Sequence, residues 1–288
     1  MPYRSIDHRT GLLLTAFGGL VLTFDIPLLR LAHGEAWSVM LVRSGVTVAA
    51  VLILHRVLRA FRPDTPPLVP GRAGFIVFLL YGLTSLTFML AVHMTTSANV
   101  AFILAFNTFF AAVFAALFLK ERPHLYTVAA MGVMVFAVLL IVEDGISAGH
   151  LAGDLLALAT AFFAAAAITV SRASGKDMGF AALLSAAVPA GAAAFVTATA
   201  GFSVDNPWWL VFNGAVVMPL SFALLGNAPK WIPAPEVAMF YLLETVLAPV
   251  WIYLLFSERP SDQALAGGLI LIVVLALHSA WQWRRGRA

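Results

Sequence analysis

The chain alternates between long apolar stretches and short polar gaps. Ten stretches reach the roughly 20 mostly apolar residues that a helix needs to cross a bilayer. They cover about 10–31, 35–58, 71–93, 95–119, 124–142, 151–171, 179–200, 207–228, 234–256 and 262–283. Turn formers fill the gaps, as in "RPDTPPLVPGR", "EDGISAGH", "SRASGKDMG", "GFSVDNP" and "APKWIPAP". Gaps this short set consecutive helices side by side and antiparallel, with no room for a soluble domain. The pattern predicts an all-α integral membrane protein.

Composition agrees. Of 288 residues, 61% are hydrophobic and 11% charged, where a soluble domain carries about a quarter charged residues. Mean hydropathy is +0.94. The first run follows a basic start, as in a signal peptide, but it shows no small-x-small cleavage site and continues to Leu31. It is expected to be a retained first span. With no Cys, disulfides, Cys-based metal sites and thiol catalysis are excluded. The seven His show no metal-ligand spacing, and no Gly-rich phosphate loop with Lys is present. No cofactor, no metal and no direct use of ATP are expected.

The net charge of +3 invites a nucleic-acid reading, but the positive charges sit in the gaps, where they orient a membrane protein instead. Arg4, Arg9, Arg56, Arg59, Arg62, Arg72, Lys120, Arg122, Arg172, Lys176, Lys230, Arg284, Arg285 and Arg287 all fall on the side that carries the termini. Arg30 and Arg259 fall on the other, and Arg43 lies within a span. This asymmetry places both termini in the cytoplasm by the positive-inside rule. It points to the inner or plasma membrane, with lipid and a small molecule as partners.

Two gaps share a corner. "LFLKERPHLY" and "LLFSERPSDQ" each carry Glu-Arg-Pro, as Glu121, Arg122 and Pro123 and as Glu258, Arg259 and Pro260. Aligned at an offset of 137, residues 99–123 and 236–260 are identical at nine of 25 positions. These are spans four and nine, so the unit is five helices. Five is odd, so the second unit starts on the other side of the membrane and the two are inverted, as in many secondary transporters. The expected units are 1–145 and 146–288. The corners themselves read as structural: Pro suits the first turn of a following helix, and Glu suits its positive end.

At these residues the chain resembles the drug/metabolite transporter superfamily, in its ten-helix EamA-like branch. That family carries a polar or acidic residue in helices four and nine, about 14 positions before a Gly-Glu-Arg-like end. Here Asn107 stands 14 before Glu121, and Glu244 stands 14 before Glu258. Thr108 and Thr245 replace the usual Pro. "YLLETVLAPVWIYLLFSERP" is similar to the amino-acid exporters, particularly the aromatic amino-acid group. The resemblance implies ten helices in two inverted fives and export by alternating access.

Candidate residues follow from cost, because an ionisable group inside a span is expensive. Glu244 lies near the middle of span nine and Asn107 near the middle of span four. Glu244 either binds an amino group or exchanges a proton, or is a hydrogen-bonded interhelical Glu. Eight residues earlier lie Glu236, read as a cap or interface charge, and Asn99; eight residues is about 80° around a helix. Phe106 and Phe240 share these faces, which are expected to line a central cavity. Tyr81 and Thr84 in span three could hydrogen-bond substrate or each other. Phe163 in span six is a stacking candidate. Asp25 and Arg43 have matching depths and are expected to pair, or to leave Arg43 free for a substrate carboxylate. The reading is an exporter of amino acids, aromatic ones included, or related metabolites, with protons as a candidate coupling ion. Multidrug, nucleotide-sugar and lipid-precursor carriers are the alternatives. An enzyme is disfavoured, since no paired catalytic groups share a depth.

Overall fold

Each apolar run forms a helix, because lipid offers no partner for backbone amides and carbonyls. The computed structural model describes residues 8–118, 120, 125–228 and 234–285. Span one consists of α1 (His8–Leu22) and α2 (Asp25–Leu31). Spans two and three are α3 (Ala36–Phe61) and α4 (Gly71–Met94). Span four is α5 (Ser97–Leu104) with α6 (Asn107–Phe118). Spans five and six are α7 (Leu125–Ser147) and α8 (Leu151–Ser174). Span seven is α9 (Gly179–Leu184) with α10 (Ala187–Ala200). Span eight runs through α11 (Pro207–Phe212), a π-helical turn (Asn213–Val217) and α12 (Met218–Asn227). Spans nine and ten are α13 (Ala234–Phe256) and α14 (Asp262–Arg285). The first eight spans meet the length and hydropathy of a membrane crossing, and apolar stretches Leu243–Phe256 and Asp262–His278 lie in the last two. No strand occurs among the described residues.

Large apolar side chains such as Leu13, Ile53, Phe136, Leu139, Leu269 and Leu277 stand exposed along the helices. Water would not tolerate so much exposed apolar surface, whereas acyl chains do.

The apolar pattern predicts unbroken spans, but three are broken and one is bulged. Proline accounts for most of this. Pro27, Pro189 and Pro219 offer no amide to the carbonyls four residues back, which belong to Thr23, Ser185 and Ala215. Span one breaks at Thr23 and Phe24, span seven breaks at Ser185 and Ala186, and span eight widens into its π turn around Ala215. At that turn the Met218 amide reaches back five residues, to the Asn213 carbonyl. Span four breaks at Ala105 and Phe106 without a proline. Its ladder tightens to three-residue bonds, from Ala105 N to Phe102 O at 3.2 Å and from Phe106 N to Ile103 O at 2.9 Å. Phe106 and Phe109 stack there, 4.5 Å between centroids, since a tightened turn eclipses positions three apart.

The packing has a pseudo-two-fold pattern. Span three packs on span six, and span one on span eight. Span four packs on span six, and span one on span nine. Spans two and seven, four and nine, and five and ten pack on each other. Advancing every span by five returns the same set, as two inverted five-helix units require. The corners repeat too. Lys120 and Ser257 are 137 positions apart, and both take a left-handed backbone, with φ of 56° and 54°. Such a residue just past a helix end is a common stop signal, often followed by Pro.

The second corner corrects two expectations. Pro260 does not enter the first turn of the next helix: α14 starts at Asp262, capped by Ser261 Oγ, which accepts from the Ala264 amide at 3.0 Å. Glu258 does not serve that helix either. Its Oε1 accepts from the Ser97 amide at 3.2 Å, so it satisfies the first turn of α5 instead. Arg259 pairs with Asp262 in the open, at 3.2 Å. Glu121, Arg122 and Pro123 lie outside the described residues.

The membrane face opposite the termini is tied together. Loops 32–35 and 203–206 pair through a Gly34–Val204 bridge, with the Asp205 amide donating to His33 O at 2.8 Å and Asn206 to Ala32 O at 2.9 Å. Arg30 donates from Nε to Ser97 Oγ and from Nη2 to Thr95 O, both at 3.0 Å. Thr95 Oγ1 and Asn99 Nδ2 donate to Asp154 Oδ1 at 2.6 and 3.2 Å. This network joins spans one, four, six and nine.

Candidate functional site

The break in span one presents Asp25 at the first position of α2. Arg43 reaches it from span two, its Nη2 3.0 and 2.9 Å from the two carboxylate oxygens. Both residues are 4% exposed. The π turn of span eight supplies a third group, Asn213. Its Oδ1 accepts from Arg43 Nε at 3.0 Å, and its Nδ2 donates to Asp25 Oδ1 at 2.7 Å. Met218 Sδ lies 3.2 Å from Arg43 Nη2, and the Phe88 ring lies 5.9 Å from the guanidinium carbon. Three spans are thereby cross-linked inside the membrane.

Close approach makes this possible. A Cβ on Gly214 would stand 2.5 Å from the Arg43 carbonyl oxygen, so only Gly lets the π turn sit against α3. Gly19 plays a similar part between α1 and α13, where a Cβ would meet the Phe240 carbonyl at 2.8 Å.

Glu244 of α13 is the remaining ionisable group here. It is half-buried, and the charges of Asp25 and Arg43 both act on it. Its carboxylate has no hydrogen bond or ion pair among the described residues. That is costly inside a membrane unless a ligand or proton meets it. Two turns along the same face, Trp251 Nε1 donates to Thr23 Oγ1 at 2.9 Å, and its ring stacks on Phe24 with centroids 5.1 Å apart. Span nine thus grips the broken turn of span one next to Asp25.

Of the residues singled out in the sequence, the structure gathers Asp25, Arg43 and Glu244. Asn107 opens α6, half-buried, and its Oδ1 accepts from Thr108 Oγ1 at 3.2 Å. Asn99 does not join the centre: it is 2% exposed and bound to Asp154 near the opposite face. Phe106 is buried in its own aromatic stack. Phe240 packs beside Ala228 and Gly19. Thr84 Oγ1 donates to the Leu80 carbonyl at 2.9 Å. Tyr81 is partly buried on α4, and Phe163 stands edge-on to Phe162 at 5.6 Å. The side chain of Glu236 lies outside those described.

Asn213 is not ionisable, so the cost of burying a charge does not mark it. Its signal was an uncharged amide in an apolar run, six residues before a proline. Two open apolar grooves, about 370 and 340 Å³, lie elsewhere. One runs between α3 and span eight, past Leu54 and Pro219, and the other between α6 and α8, past Phe114 and Phe162. Neither reaches Glu244.

Eight apolar helices of membrane length, two shorter apolar stretches and a charged centre define a multi-pass helical membrane protein. Residues 9–143 match the model of the EamA-like transporter family. The match spans just under half of the chain, so its first half is similar to this family of membrane transporters. One solved crystal structure, 17% identical, covers 97% of this chain and 100% of its own with a TM-score of 0.63. At that identity the likeness shows the fold. No curated protein sequence matches significantly.

Proposed function

We propose that this protein exports amino acids, aromatic ones included, and related small metabolites across the cytoplasmic membrane by alternating access. Its termini face the cytoplasm, and its two units divide near residue 145. One observation carries the reading. Glu244 holds a carboxylate without a protein partner in the middle of span nine, beside the hydrogen-bonded Asp25–Arg43 pair. A free carboxylate in a low-dielectric interior attracts an ammonium group or a proton. Asn107, at the break of span four, supplies a neutral amide from the other unit. The polar network on the face opposite the termini fits a state closed toward the outside. The broken turns near the centre are where such carriers expose backbone to a substrate.

The test is flux in proteoliposomes, with labelled phenylalanine and leucine, with and without a pH gradient. Glu244→Gln should lower flux at least about tenfold, the worth of one charge-assisted hydrogen bond, and should abolish any response to the gradient. Flux and pH response equal to the wild type would overturn the reading.

A further inference from the structure

Arg43 has more donors than its protein partners use. A guanidinium carries five N–H groups on three nitrogens. Nε donates to Asn213, while Nη2 donates to Asp25 and faces Met218 Sδ. Nη1 has no acceptor among the described residues. The side chain is 5% exposed, yet Nη1 is not sealed: among the described residues the fully buried side-chain polar atoms without a partner are Ser44 Oγ and Ser221 Oγ, so Nη1 keeps a small accessible surface through which a ligand can meet it. Glu244 presents the complementary case, an acceptor with no donor, and it feels the charges of both Arg43 and Asp25.

We propose that Arg43 and Glu244 are the two poles of one ligand site, which takes a zwitterion. The ligand's carboxylate accepts from Arg43 Nη1, and its ammonium donates to the Glu244 carboxylate. Asp25 and Asn213 stay in place and hold the guanidinium plane, through contacts on Nε and Nη2 that leave Nη1 free. This rests on the reading of Glu244 as an ammonium site and adds the other end of the ligand.

Charge counting ranks the ligands. With Glu244 ionised, as it is when it holds an ammonium, Asp25, Arg43 and Glu244 together carry one more negative than positive charge. A carboxylic acid without an amine adds a second uncompensated negative charge and is excluded. An amine without a carboxylate satisfies Glu244 and leaves Nη1 unmet. A ligand with both groups satisfies both poles. The expected order is amino acid, then amine, then acid, whatever the side chain.

The experiment is a binding titration of the purified full-length protein in detergent with two matched sets. One set is L-phenylalanine, phenethylamine and 3-phenylpropionate. The other is L-leucine, 3-methylbutylamine and 4-methylpentanoate. In at least one set the amino acid should bind about tenfold or more tightly than its amine, the scale of one charge-assisted hydrogen bond, and the acid should not bind. In the D25N/R43Q double variant, which removes the guanidinium without stranding a buried charge, that ratio should fall below about two. Equal affinity of amine and amino acid in the wild type would overturn the role of Arg43 and leave Glu244 as an ammonium site. A ratio that persists in the double variant would do the same. Should amino acids and amines both fail to bind, the proposal and the transport reading fall together. Where the double variant does not fold, the wild-type ratio decides.

Discussion

Arg43 and Asp25 meet through a single nitrogen, Nη2, which lies within 3.0 Å of both carboxylate oxygens at the point where span one breaks. Asn213 closes the triangle from a position 170 residues beyond Arg43. The pair is therefore both a link between three spans and one side of the proposed ligand site.

Removing one partner strands the other. Arg43→Gln leaves a buried carboxylate with only Asn213, and is expected to cost about 3–5 kcal/mol. D25N/R43Q leaves no buried charge and should recover most of that loss. Melting of the detergent-solubilised protein, followed by size-exclusion chromatography after heating, reports the order. A double variant no more stable than R43Q would show that the charges are not coupled.

Gly214 sets how closely span eight meets span two. Gly214→Ala places a methyl 2.5 Å from the Arg43 carbonyl, and the helices must part. A loss of about 1–3 kcal/mol is expected, with a matching fall in flux. A Cβ on Gly45 would meet nothing within 4 Å, so Gly45→Ala is the control and should leave stability unchanged or slightly raised.

Trp251 holds the broken turn of span one by a hydrogen bond and by stacking. Trp251→Phe keeps the ring contact and loses the bond to Thr23 Oγ1, at a cost of about 1 kcal/mol. Trp251→Ala loses both and should cost more. Equal stability of the two variants would mean that the stack with Phe24 contributes nothing.

Orientation can be read with single cysteines, because the chain has none of its own. Lys176 and Phe202 are exposed at opposite membrane faces. In intact cells a membrane-impermeant maleimide should label F202C and not K176C, and K176C only after permeabilisation. The reverse pattern would invert the topology.

Glu258 caps a helix in the other unit. Glu258→Ala leaves the Ser97 amide unpartnered and should cost about 1 kcal/mol. It should also raise maleimide labelling of a cysteine at Thr95, which is buried in the same network. Stability lost without a change in labelling would confine Glu258 to a local capping role.

By itself the sequence determined the solvent, the spans and the repeat. Runs of 20 apolar residues cannot hide in water, so the helices were legible, eight of them at membrane length, and the shared Glu-Arg-Pro marked a repeat whose odd count of helices gives the expectation of inversion. The breaks were half legible: Pro27, Pro189 and Pro219 each withhold an amide from a known carbonyl, whereas the break before Asn107 has no such mark. Tertiary structure decided which faces meet. Asn99 and Asn107 share a face of an ideal helix, but the turn at Ala105 and Phe106 parts them, and Asn99 goes to Asp154. Asn213 joins Asp25 and Arg43 only because a π turn and a glycine bring span eight against span two. Glu258 serves α5 and not the helix that follows it. An apolar pattern records that a helix is in lipid, but every face of such a helix is apolar enough to be buried. The choice among them is made by close fit and by the few polar groups that must find partners across the chain.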